Sequence, residues 1–164
     1  MMKILMTISS VSIWNKMDRS LEEAYYCGLK HIGIATYSSG KVFVYLLNKG
    51  FSEALSRQAV DELISNGFID DRKAAAKVIR GRSGKKQESR YYMGKRLEEA
   101  GIADSVIVSV IDSLPPDEET LKSLFMSVTG SMSREDMFKL ASRRGYEFSL
   151  AVRVYELLNN DNLL

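Results

Sequence analysis

Proline is nearly absent. The chain has two in 164 residues, adjacent at Pro115 and Pro116, where ordinary usage is about 5%. Proline removes a backbone donor and clashes with the preceding turn, so its scarcity leaves long stretches free to form uninterrupted helix. Cysteine occurs once, at Cys27. That excludes a disulfide within the chain and makes a reducing cytoplasm the expected compartment. Histidine also occurs once, at His31, four residues from Cys27. Two ligands fall short of the three or four that zinc takes, so the pair reads as a buried thiol and an ordinary helix-surface imidazole. No metal and no cofactor is expected. No apolar run approaches the roughly 20 residues that span a bilayer. The opening MMKILMTISSVSIW is broken by Thr7, Ser9, Ser10 and Ser12 and lacks a small-residue cleavage site, so it reads as neither a signal peptide nor a membrane span.

What is present is repetition. Three segments align on a glycine: VFVYLLNKGFSEALSRQAVDEL on Gly50, MGKRLEEAGIADSVIVSVIDSL on Gly101 and MFKLASRRGYEFSLAVRVYELL on Gly145. Apolar residues recur eight before the glycine (Val42, Met93, Met137), four before (Leu46, Leu97, Ala141) and one after (Phe51, Ile102, Tyr146). They recur again five after (Leu55, Val106, Leu150), nine after (Ala59, Val110, Val154), ten after (Val60, Ile111, Tyr155) and thirteen after (Leu63, Leu114, Leu158). Spacings of this kind place each set on one face of a helix. The glycine then marks the turn between two helices, because a left-handed residue after a helix costs least without a Cβ.

A further helical pattern precedes each pair. SLEEAYYCGLKHIGIA opens with Ser20 and Glu23 at capping-box spacing and directs Ala24, Leu29 and Ile32 inward. DDRKAAAKVIRGR is rich in the best helix former, with Asp70 or Asp71 able to cap its first turn. PDEETLKSLFMSV begins at Pro116 with acids in its first turn and Leu121, Leu124, Phe125 and Val128 behind, and Ser133 with Asp136 resembles a cap on the last pair. The expected fold is therefore all-α: three tandem three-helix repeats stacked into an elongated, curved array. The repeats are expected at 20–66, 67–115 and 116–160, between an extension at 1–19, in which Ile4, Met6 and Ile8 suggest an extended segment, and a frayed end from Asn159 with a tail at 161–164.

The net charge of +2 conceals an uneven distribution. Residues 72–96 hold ten basic residues and one acid, Glu88, for a net +9, which leaves −7 on the rest of the chain. A local field of this size attracts a polyanion or an acidic protein groove. The candidate partner-binding residues are Arg80, Arg82, Lys85, Lys86, Arg90, Lys95 and Arg96. Gly81, Ser83 and Gly84 loosen the chain among them, and Tyr91 and Tyr92 follow, able to stack on bases but more readily core residues.

Chemistry finds no foothold. GRSGKK lacks the glycine spacing and the hydroxyl residue of a phosphate loop and follows a helix pattern instead of a strand. Asp70-Asp71 diverge by about 100° on a helix, and a single histidine leaves no conventional triad. A non-enzyme is expected.

The run LISNGFIDDRKAAAKVIRGRSGKK, then KRLEEAGIADSVIVSVIDSL, then KLASRRGYEFSLAVRVYELL resembles the RecX family of bacterial regulators of the RecA recombinase. The family's Gly-apolar-apolar-Asp-Asp motif stands here as Gly67, Phe68, Ile69, Asp70 and Asp71, and the resemblance covers Leu21 to Leu158. Ser89 stands where the family usually has glycine, and YSSGKVFVYLL is less charged than its counterpart. The resemblance implies a noncatalytic regulator that lies in the groove of the RecA filament on single-stranded DNA, reaches DNA through that filament, and depresses ATP hydrolysis and strand exchange; a monomer is expected. The alternative is a helix-turn-helix-like nucleic-acid-binding protein acting without RecA, suggested by the spacing of Ala141, Gly145 and Ala151.

Overall fold

The computed structural model describes residues 20–160. The extended segment expected near Ile4, Met6 and Ile8 and the 161–164 tail lie outside them. Among the described residues there are nine α-helices, one short 3₁₀ turn at Gly84–Lys86 and no strand, as the all-α expectation requires. The chain divides into two compact units, the first ending at Asp71 and the second beginning at Arg72.

In the first unit, α1 (Leu21–Ile32) starts where Ser20 Oγ accepts the Glu23 N–H at 3.1 Å. Its inward face is Ala24, Gly28 and Ile32, one turn apart, and Leu29, expected inward, is only half-buried. Gly28 replaces it because α1 lies hard against the third helix: a Cβ there would stand 2.8 Å from Leu63 Cδ1. The second and third helices, α2 (Ser39–Asn48) and α3 (Glu53–Ser65), flank Gly50, whose φ of 86° is the left-handed turn expected of it. Val42, Leu46, Phe51, Ala59, Val60 and Leu63 close the core with Ala24, Ile32 and Ile69.

The N-terminus of α2 obtains its cap from far along the chain. Ser38 stands at the N-cap, but its side chain does not cap the helix. Instead, the carboxylate of Asp71, the first residue of α4 (Asp71–Arg80), accepts both the backbone N–H and the hydroxyl of Ser39, each at 2.7 Å. The sequence pattern offers Asp70 or Asp71 as a cap for α4, and the carboxylate of Asp71 also serves α2.

The second unit holds the rest of α4 with α5 (Arg90–Glu99), α6 (Asp104–Ser113), α7 (Asp117–Val128), α8 (Arg134–Arg143) and α9 (Phe148–Asn160). The helix α9 continues through Asn159 and Asn160, which were expected to fray. Two apolar clusters form here, one around Ala75, Met93, Leu97, Ile102 and Ile107, the other around Leu121, Leu124, Phe125, Ala141, Tyr146, Val154 and Leu158. The cross-helix cap recurs within this unit. Ser89 opens α5, its Oγ accepting the Tyr92 N–H, and the next N–H, that of Arg90, donates to Asp117 Oδ1 at 2.8 Å.

All nine residues at offsets minus eight, minus four and plus one from the three glycines are buried, and those at plus five, nine, ten and thirteen are buried or half-buried. One inward position escaped the pattern. Six residues after each glycine stand Ser56, Ile107 and Ala151, all buried, whereas the residues at plus five are half-buried. Six, nine, ten and thirteen form the i, i+3, i+4, i+7 series of a helix face. The polar residue in that series hid it: Ser56 Oγ is buried with no hydrogen-bond partner among the described residues.

Two substitutions test this packing. Leu97, fully buried, is expected to lose about 2–5 kcal/mol of unfolding free energy on change to Ala, through lost transfer energy and the cavity left behind. Ser56→Ala removes a hydroxyl that burial leaves unsatisfied, and is expected to be neutral or to stabilise by up to about 1 kcal/mol. Denaturant titration of each variant checks both, and a loss above about 1 kcal/mol for Ser56→Ala contradicts the second.

Candidate polyanion interface

The basic segment folds as α4 from its second residue onward, the 3₁₀ turn and most of α5. Its one acid is at the centre. Glu88 is only 4% exposed. Arg96 grips it in a two-pronged contact, Nε and Nη2 each donating at 3.2 Å, while Arg82 Nη1 lies at 3.5 Å and Arg144 Nη1 at 4.0 Å. Removing a carboxylate from water costs several kcal/mol unless its charge and lone pairs are met; Arg96 supplies the hydrogen bonds, and Arg82 and Arg144 add counter-charge. The Glu88 interaction also holds the Arg96 pKa above the ordinary arginine value, with Glu99 adding to it.

Arg144 comes from the turn between α8 and α9, and backbone contacts reinforce its place. The Ser89 N–H donates to Arg144 O at 3.0 Å, and Arg144 Nη2 donates to Lys85 O at 3.0 Å. Next to it, Gly145 has φ 83°, and a Cβ there would stand 2.6 Å from the Tyr92 ring and 2.8 Å from Ser89 Oγ. The glycine is needed twice, for its conformation and for the close approach of α5.

The seven candidate binding residues divide accordingly. Arg82 and Arg96 face Glu88. Arg90 sends its guanidinium to Leu114 O and Pro115 O, holding the end of α6. All three are half-buried. Arg80, Lys85, Lys86 and Lys95 are exposed. Lys95 lies 4.8 Å from the centre of the Tyr91 ring, and hydrogen bonding to Tyr91 raises its pKa above the ordinary lysine value. Arg80, Lys85 and Lys86 have no side-chain partner among the described residues. The exposed charge is therefore narrower than the sequence count: four of the seven candidates are exposed, two of them on the 3₁₀ turn, and Arg72, Lys73 and Lys77 are exposed on α4 as well. Counting charges also missed Arg144, and the available clue was Glu88, one acid in a run of ten cations.

The turn glycines Gly50, Gly101 and Gly145 all have positive φ. Cys27 is half-buried, and His31 stacks on Tyr45 with centroids 3.6 Å apart. Among the described residues there is no cluster of three metal-ligating side chains, and no helix is long and apolar enough to cross a membrane.

Compared with known proteins, the chain is 23% identical over 135 residues to "Regulatory protein RecX" of Chlorobium phaeobacteroides (strain BS1), which covers 79% of this chain and 89% of that protein. It is 26% identical over 119 residues to "Regulatory protein RecX" of Geobacillus sp. (strain WCH70), covering 71% of this chain and 44% of that protein. The RecX resemblance holds. A solved structure described as "Crystal structure of regulatory protein RecX" shares the fold at a TM-score of 0.62 and 16% identity, covering 95% of this chain and 81% of that one. No protein-family model matches.

The residues that carry the RecX resemblance have identifiable tasks. In the Gly67–Asp71 motif, Gly67 has φ 76° just beyond α3, Ile69 enters the first core and Asp71 caps α2. Ser89, where the RecX family usually has glycine, is fully buried and caps α5.

Tyr146, one residue past Gly145, is buried and donates its hydroxyl to Thr120 Oγ1 at 3.1 Å. Burial pushes its pKa up to about 12 from 10.0. The folded state thus holds the phenol proton more tightly than the unfolded chain. Its stabilisation is complete below pH 10 and is lost as pH rises towards 12. Unfolding free energy is expected to fall across that window by about 2 kcal/mol more in the parent chain than in Tyr146→Phe. Urea titrations at intervals from pH 9 to 12 check this, and identical pH profiles contradict it.

Proposed function

We propose that this chain is a noncatalytic regulator that binds the RecA filament on single-stranded DNA and inhibits its ATP hydrolysis and strand exchange, acting as a monomer in the cytoplasm during DNA repair and recombination. The observation that carries the reading is the likeness to two proteins named RecX, one of them over 79% of the chain. The exposed cations of the 3₁₀ turn support it, because a groove that contains DNA presents phosphates to such a surface. Inhibition then follows from differential affinity: a regulator that binds one filament conformation better than another shifts the filament towards it.

A helix-turn-helix reading gains no support from α6 or α9. The helix α6 has no basic residue. The basic residue of α9, Arg153, lies 3.2 Å from Glu118. The amide side chains of α9, Asn159 and Asn160, stand at its C-terminal end, whereas a recognition helix reads base edges with its N-terminal residues.

The test is a titration of RecA ATPase on single-stranded DNA with this chain and with its Lys85→Glu/Lys86→Glu variant. The parent chain is expected to inhibit. The variant, with unchanged helicity by circular dichroism, is expected to need at least about five times more protein for half-inhibition, since each phosphate contact contributes to a polyelectrolyte affinity. Arg90 is left intact because it holds the end of α6. Failure of the parent chain to inhibit overturns the proposal.

A further inference from the structure

The three arginines around Glu88 do not spend their donors equally. Arg96 commits Nε and Nη2 to Glu88 and Nη1 to Glu99. Arg82 Nη1 stands 3.5 Å from Glu88, and Arg144 Nη1 stands 4.0 Å away, beyond hydrogen-bond reach. Arg144 spends one further nitrogen on Lys85 O. A guanidinium has five N–H donors in a fixed fork, so Arg82 and Arg144 keep most of theirs. Both also remain partly open to solvent, their side chains 35% and 25% exposed. Two guanidiniums directed at one carboxylate would repel each other without it. Glu88 therefore supplies a counter-charge that holds two arginines together without consuming them.

Resting on the reading above, we infer that Arg82 and Arg144, flanked by Lys85 and Lys86, form a site for a backbone phosphate of single-stranded nucleic acid, and that Glu88 is its positioning residue. The forked donors suit a phosphate's oxygens. An acidic peptide has the same charge but fits the surroundings less well. At Gly145, next to Arg144, begins a groove of about 480 Å3 lined by Tyr91, Asp117, Glu147 and Arg153, the last paired with Glu118. Its carboxylates repel acidic side chains but accept hydrogen bonds from base N–H groups, and the Tyr91 ring, 64% exposed, offers a face on which a base can stack.

The measurement is fluorescence anisotropy of a labelled oligo-dT with the full chain across a salt series, with poly-glutamate as competitor. Arg82→Gln and Arg144→Gln are each expected to weaken binding about 5- to 10-fold at low salt and to flatten the log–log salt slope by about 0.7, the value for one contact to a single strand. Arg144→Lys keeps the charge but loses the fork, and is expected to weaken binding as well. Glu88→Gln decides the positioning role by its sign: it removes a negative charge, so a bystander glutamate predicts tighter binding, and a positioning glutamate predicts weaker binding. Thermal melts identify any variant that fails to fold, in which case the Arg144→Lys result stands for the site. Unchanged affinity in Arg144→Lys and Arg144→Gln, tighter binding by a folded Glu88→Gln, or stronger competition by poly-glutamate than by unlabelled oligo-dT overturns the inference. If the parent chain inhibits RecA yet binds no oligo-dT, the phosphate site is wrong and the proposed function survives.

Discussion

The buried carboxylate of Glu88 is the interaction on which the second unit's charged surface depends. A lone carboxylate in its place would be strongly destabilising, and an arginine cluster without it would fly apart. Together they fix the segment between α4 and α5 against the α8–α9 turn. The backbone bond from Ser89 to Arg144 and the close approach of Tyr92 to Gly145 occupy the same junction. Charge, backbone hydrogen bonding and steric fit therefore act at one place, and the exposed lysines of the 3₁₀ turn are presented from a fixed base.

Another constraint operates on both units. A helix leaves its first N–H groups unsatisfied, and α2 and α5 are each completed by an aspartate that begins a later helix, Asp71 for Ser39 and Asp117 for Arg90. These aspartates lie 32 and 27 residues downstream of their partners. In the second unit the link continues, since Thr120, bonded to the carbonyl of Asp117, accepts the Tyr146 hydroxyl. Polar bonds of this kind specify how helices meet, where apolar burial alone would tolerate sliding.

The sequence made the helices and most of their inward faces legible, because a 3.6-residue period and a left-handed glycine leave marks that single residues carry. It concealed Gly28 and Ser56, whose burial reflects how closely neighbouring helices approach and has no hydrophobic signature. The basic segment was legible as charge and illegible as surface. Arg82, Arg90 and Arg96 are turned towards Glu88 and the end of α6, and Arg144 joins them from the turn between α8 and α9. Net charge records how many cations a segment has; only packing determines which of them a partner can reach. Asp71 illustrates the same limit, since a helix-start aspartate reads identically whether it caps its own helix or another.

If one buried carboxylate organises this surface, its coupling to its arginines must be measurable in the folded protein. A double-mutant cycle on unfolding free energy with Glu88→Gln, Arg96→Gln and the double variant isolates that term. The two-pronged contact at 3.2 Å predicts a coupling of about 1–3 kcal/mol. Effects that add to within about 0.5 kcal/mol would show that Glu88 and Arg96 stabilise the protein independently and would contradict the account.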